Sequence, residues 1–206
     1  MRVGNLNRVL ASSVFAASFL AYFSTMAETV SYWDCGEFIA TSYILGVPHP
    51  PGSPLFLIIG RIFSMIPFSS DIAFRVNLIS PLVSALSVMF LYLIIVQLVT
   101  LFRRSPENSE ERWIVYGSGV VGALIFAFTD SHWFNAVEAE VYAMSTLTTA
   151  VVAWLIVHWA ERADKPGNER FVLMISYVLG LATGIHLLNL LALPFMGMII
   201  YFKKFK

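Results

Sequence analysis

Residues 28–75 read ETVSYWDCGEFIATSYILGVPHPPGSPLFLIIGRIFSMIPFSSDIAFR, and one question inside them sets the topology of the whole chain. The apolar stretch Leu55–Phe68 either crosses a bilayer or lies in its surface. It is broken by Gly60 and Arg61 and is 14 residues long, whereas a helix needs about 20 apolar residues to cross the hydrocarbon. Length therefore predicts a helix in, or dipping into, the interface.

Charge placement gives the same answer. With the N-terminus cytoplasmic and Leu55–Phe68 not crossing, Arg2, Arg8, Arg103, Arg104, Arg112, Arg162, Lys165, Arg170, Lys203, Lys204 and Lys206 all fall on the cytoplasmic side. Of the 13 basic residues, only Arg61 and Arg75 are left outside, as the positive-inside rule requires. A crossing at Leu55–Phe68 would send Arg103, Arg104, Arg112 and the terminal lysines to the wrong side.

The rest of the chain is a series of apolar runs: 9–27, 76–101, Trp113–Thr129, Val141–Trp159, Phe171–Gly184 and Leu190–Phe202. The expected fold is an all-α polytopic membrane bundle of about six transmembrane helices, with interfacial helices in a first outer loop, 28–75. Ser105-Pro106 and Pro166-Gly167 mark the two cytoplasmic turns. Composition agrees: 58% of the 206 residues are hydrophobic and only 13% charged, half the charge of a soluble domain. The formal net charge is zero, so nothing points to a nucleic-acid partner. With its charged start and small residues near Ala27, the first run reads either as a cleaved signal peptide or as a retained span.

This topology gathers the polar residues of the short turns on the outer face. Asp34 and Glu37 stand three apart, on one face of a helix, after the interfacial pair Tyr32-Trp33. They suit general-base work, or a helix cap with its reciprocal partner. His49, in a turn forced by Pro50 and Pro51, suits a phosphate or a hydroxyl. Arg61 would pair with a lipid-linked phosphate, snorkel to headgroups, or pair with Asp34 or Glu37. Glu138 and Glu140 sit at the mouth of a span; spaced by two, they cannot share a helical face, so one faces the site and the other faces water. His186 and Asn189 would bond a substrate or cap a helix turn. Cys35 is the sole cysteine, which rules out an internal disulfide. It suggests no thiolate metal site either, and it should be labelled from outside the cell. His132 and His158 show no metal-ligand spacing, so no metal ligands are assigned, with a divalent cation left open.

The order of these parts resembles the N-terminal module of the GT-C superfamily of membrane glycosyltransferases, and more closely the protein O-mannosyltransferase-like family. The motifs that carry the match are Trp33-Asp34-Cys35-Gly36-Glu37-Phe38, His49-Pro50-Pro51-Gly52-Ser53-Pro54-Leu55-Phe56 and Ala139-Glu140-Val141-Tyr142-Ala143. The resemblance implies a retained first span, a polyprenyl-phosphate-linked sugar as donor, and a protein or glycan acceptor on the periplasmic or lumenal face. By position it implies Asp34 as the catalytic carboxylate, with Glu37 beside it. Arg61, His49 and His186 would lie near the leaving phosphate, and Glu140 opposite. Residues 1–206 would be a single transmembrane module, the N-terminal part of a longer protein. Two other classes compete: a transporter or lipid-binding membrane protein, and a non-catalytic membrane subunit. A transporter should carry ionisable groups at mid-membrane and inverted repeats; the spans here are nearly free of charge and no repeat is visible.

Overall fold

The computed structural model describes residues 3–103, 106 and 108–205. Arg2, Arg104, Ser105 and Lys206, which enter the charge and turn arguments above, lie outside the described residues. The described chain is helical: α1 Val3–Thr25, α2 Cys35–Ile44, α3 Pro54–Met65, α4 Ile72–Asn77, α5 Ile79–Arg103, α6 Ser109–Ala127, α7 Asp130–Ala136, α8 Val141–Ala160, α9 Glu169–Thr183, a 3-10 turn Leu187–Leu191, and α10 Ala192–Lys204.

Four stretches are long and apolar enough to cross a membrane: Asn5–Thr25, Ile72–Arg103, Val141–Ala160 and Leu187–Lys204. The pair α6 and α7, bent by 70°, meets the same length and apolarity only when taken together, as one broken span or a re-entrant loop. The sixth run, α9, is a 15-residue helix, too short for a straight crossing. Every expected run is a helix within a few residues of its expected ends, and the fold is a helical membrane bundle.

The α5 helix is the central post, against which α1, α6 and α8 pack. Its inner face is lined with small residues, Ser80, Ser84, Ala85 and Ser87, which let neighbouring backbones approach closely as membrane helices do. Tyr22 of α1 is fully buried, and its hydroxyl donates to the Ala127 carbonyl at 2.8 Å. The first helix is thus built into the core.

The two ends of the bundle differ. At one end Arg103 and Glu111 lie together, and Lys204 reaches Ala163 and Asp164. At the other, the chain after α1 meets the α7–α8 junction through Ala27 N–H to the Val137 carbonyl, 2.8 Å, and the start of α3 meets the end of α9 through Leu55 N–H to the Gly184 carbonyl, 2.8 Å. The α3 helix therefore belongs wholly to the second end, as its length predicts. It opens with Pro54 in its first turn, where proline costs no hydrogen bond. Arg75 of α4 fastens its far end by donating to the Ser64 carbonyl at 2.8 Å. Ile58, Ile62 and Met65 of α3 stay exposed, as do Ile44 and Leu45 at the end of α2. Exposed apolar residues on short helices at a bundle end fit an interfacial position.

Gly60 is where α3 crosses α2. A Cβ there would stand 2.3 Å from Ser42 Oγ and 2.7 Å from Ser42 Cβ. Gly60→Ala is expected to lower stability by about 1–2 kcal/mol, because overpacking outweighs the better helix propensity of alanine. Thermal unfolding in detergent measures this; a raised midpoint would mean the two helices do not touch.

Candidate functional site

The second end of the bundle carries the site, and a single side chain organises it. Asn77, the last residue of α4, is fully buried. Its Nδ2 donates to the carbonyls of Ala27 and Thr29, each at 2.9 Å. Its Oδ1 accepts from the Ala139 amide at 3.1 Å. It thereby ties the segment leading to Asp34 to the segment bearing Glu138 and Glu140. Sequence reasoning missed it; the available signal was a lone amide at the head of a long apolar run, where a polar group must find partners.

Asp34 immediately precedes α2 and follows Trp33, whose φ of 60° is rare for a residue with a side chain. It stands at the helix cap position but makes no capping hydrogen bond, so its exposed carboxylate is not spent on the helix. Glu37, one turn on, does not reach back to it. Glu37 instead grips His49, accepting from its backbone N–H at 2.7 Å and from Nδ1 at 2.6 Å. The capping-box alternative is thus set aside. Because Glu37 can only accept, Nδ1 carries the proton and Nε2 is the ring's other face. The hydrogen bonds from His49 pull the Glu37 carboxyl below its ordinary value. The same bond raises His49 above its own.

Glu138 and Glu140 correct the sequence reading. Residues 137–140 are not helical, and Glu140 is extended, with φ −130° and ψ 141°. The chain bends through 137–139, so the helical spacing rule does not apply and both side chains turn inward; they are 4% and 6% exposed. Neither is a water-facing loop carboxylate. Ser31 donates its hydroxyl to Glu138 Oε2. The Glu140 amide donates to Ser80 Oγ at 3.4 Å, and Cys35 Sγ lies 3.8 Å from Glu140 Oε1. Burial, then the charges of Asp34 and Glu138, push Glu140 up to about 7. Burial, then the same two glutamates, also raise the Cys35 thiol. Cys35 is fully buried, so it will not report topology by surface labelling as its sequence context suggested.

Asp34, His49, Glu140, Tyr142 and His186 line one small hollow of about 30 Å³, room for one water or hydroxyl group. His186 accepts from the Leu188 amide at 3.1 Å and packs its ring 5.1 Å from that of Tyr142.

Two expected site residues lie elsewhere. Arg61 donates to the Tyr43 carbonyl and lies over the Tyr43 ring at 5.3 Å, away from Asp34 and Glu37. Asn189 is 1% exposed. Its Oδ1 accepts from Ser145, Thr148 and Thr149 at 3.2, 2.8 and 3.1 Å. Its Nδ2 donates to the carbonyls of Ala182 and His186 at 3.0 and 2.8 Å. With donors and acceptor both used, it locks the 3-10 turn to α8 and has nothing left for a substrate.

The fold and site define a polytopic helical membrane protein with an acidic centre at one end of its bundle. The chain belongs to the family described as the protein O-mannosyl-transferase TMEM260 N-terminal domain, whose model matches residues 34–206. Among its relatives, the protein O-mannosyl-transferase tmem260 of Dictyostelium discoideum is 29% identical over 196 residues, 88% of this chain and 22% of that protein. The protein O-mannosyl-transferase TMEM260 of Mus musculus is 28% identical over 171 residues, 82% of this chain and 22% of that protein. The chain thus spans about a fifth of the length of these curated relatives. No solved structure matches it.

Proposed function

We propose that this chain is the N-terminal transmembrane module of a GT-C-type glycosyltransferase. It acts in moving mannose or another hexose from a polyprenyl-phosphate donor to a hydroxyl, a protein serine or threonine, on the extracytoplasmic side of the membrane. The observation that carries this reading is the uncapped Asp34 carboxylate at a hollow shared with buried Glu140 and the Glu37–His49 pair. The ionisable groups stand at a bundle end rather than along the spans, which favours an interfacial reaction over transport.

The chemistry follows from the groups present. The hollow is too small for a hexose, so the sugar lies across its mouth and the acceptor hydroxyl enters. Asp34 takes the hydroxyl proton as the oxygen bonds to the anomeric carbon. The bond from that carbon to the phosphate oxygen breaks, and its electron pair leaves with the polyprenyl phosphate. His49, with Nδ1 held by Glu37, turns Nε2 to that developing charge; as imidazolium it donates a charge-assisted hydrogen bond. His186 is the second donor, Glu140 orients the reacting hydroxyls, and the exposed apolar faces of α2 and α3 rest in the lipid that delivers the donor.

This gives a pH dependence with a definite sign. The charged form of His49 is the active one, and Glu37 raises its pKa. Transfer should therefore fall as pH rises through a value above the ordinary histidine range of about 6.5. In Glu37→Gln that fall should move to lower pH; pH–rate profiles of the full-length protein with a polyprenyl-phosphate mannose donor measure it. An unmoved alkaline limb would remove His49 from the site. The whole reading is tested by the same transfer assay with Asp34→Asn.

A further inference from the structure

We propose that Cys35, Glu138 and Glu140 form a binding site for a thiophilic divalent cation, zinc foremost, buried behind the hollow that Asp34 lines. This deepens the proposed function, since Glu140 belongs to both.

Three observations carry it. First, the geometry: one donor atom from each of the three residues lies within 4.8 Å of the other two. Cys35 Sγ and Glu140 Oε1 are 3.8 Å apart, where a tetrahedral zinc with one sulfur and one oxygen ligand sets that separation at roughly 3.5 Å.

Second, two oxygens have no partner. Glu138 Oε1 and Glu140 Oε2 are buried and make no hydrogen bond, on side chains that are 4% and 6% exposed. Buried carboxylate oxygens are otherwise hydrogen-bonded, ion-paired or on metal. Among the described residues, the ion pairs found do not involve either glutamate. Two carboxylates thus meet inside the protein beside the Cys35 thiol, with Asp34 close by, and a divalent cation that also takes the thiol as thiolate would offset their charge.

Third, the supporting contacts are those a ligand set needs. Ser31 holds the other oxygen of Glu138, and Ser80 and Asn77 hold the amides of Glu140 and Ala139. Such outer contacts fix ligand orientation and are worth 10- to 100-fold in metal affinity. One thiolate with two carboxylates selects zinc or its congeners over magnesium or calcium, which prefer all-oxygen sets. Three protein ligands leave a fourth position open. With Glu140 reaching both the ion and the hollow, that position suits an acceptor hydroxyl or a donor phosphate oxygen. The sequence hid the site because Cys35 stands more than a hundred residues from either glutamate.

The test is metal binding by the full-length protein in nanodiscs, without donor or acceptor. After chelation, cobalt(II) is titrated in as the probe and then displaced with zinc. The expected result is one site with a near-ultraviolet thiolate-to-cobalt band that zinc abolishes. The band should vanish in Cys35→Ser, and affinity should fall by at least about 100-fold in Glu138→Gln or Glu140→Gln, the upper end of what losing an outer contact costs. Should these variants misfold, zinc K-edge X-ray absorption of the wild-type protein is the second measurement, expected to show one sulfur ligand among oxygens. No thiolate band in the wild type, a band that survives Cys35→Ser, or a bound zinc with no sulfur ligand overturns the site. Because no sugar transfer enters these readouts, a bound metal with no transferase activity would overturn the proposed function alone.

Discussion

Asp34→Asn in the full-length protein is expected to cut the rate of sugar transfer by about 10²- to 10⁴-fold, the usual contribution of a general base. The substitution keeps the size of the side chain and removes only its capacity to take a proton. It should leave folding intact: the carboxylate makes no capping bond, and the residue is exposed, so no buried partner is stranded. The loss should fall on kcat, with donor and acceptor KM little changed, because the lost interaction forms only as the proton moves. Asp34→Glu should recover part of the rate, since a carboxylate remains but its oxygens stand about 1.5 Å farther out. Transfer from polyprenyl-phosphate mannose to a serine- or threonine-bearing acceptor is the assay. Undiminished transfer by Asp34→Asn would take the residue out of the chemistry and leave the hollow without a base.

What the sequence made legible follows from which forces are local. Hydropathy and length set each helix because a bilayer permits few other conformations, so the spans, the interfacial α3 and the gathering of Asp34, His49, Glu140 and His186 could be read from the chain. Non-local contacts could not. Glu138 and Glu140 were expected to diverge because the spacing rule assumed a helix, and α7 ends at Ala136, just before them. Arg61 was expected to meet a lipid-linked phosphate, the headgroups or the acidic pair, because a cation in an apolar run needs a partner. Its partner is the carbonyl and ring of Tyr43, one helix away. Asn189 looked like a substrate ligand beside His186, yet hydroxyls from α8, about 40 residues earlier, saturate it. Cys35 was expected to meet water on the outer face and be labelled there, yet it is fully buried beside Glu140. In each case the residue type announced a need, and only the fold shows what meets it.

The same reasoning makes Asn77 the most consequential residue outside the hollow. Asn77→Ala should destabilise the protein by about 2–6 kcal/mol, taking about 1–3 kcal/mol for a stranded buried amide and about 0.5–1.5 kcal/mol for each lost bond to a partly exposed carbonyl. The amide is that of Ala139, and the carbonyls are those of Ala27 and Thr29. Against a typical stability of about 5–15 kcal/mol this is a large share. Asn77→Asp separates the parts: it keeps an acceptor for the Ala139 amide but sets a carboxylate against two carbonyls. It should therefore be no better than alanine, although its size is unchanged. Below the unfolding temperature both variants should still transfer sugar slowly, with a lowered kcat, because the segment before Asp34 and the segment bearing Glu140 are no longer held at one distance. Thermal unfolding in nanodiscs and hydrogen exchange at the Ala139 amide measure the two effects together. Faster exchange with unchanged kcat would make Asn77 a purely structural tie. Unchanged exchange would mean that the three bonds do not join these segments in the folded protein.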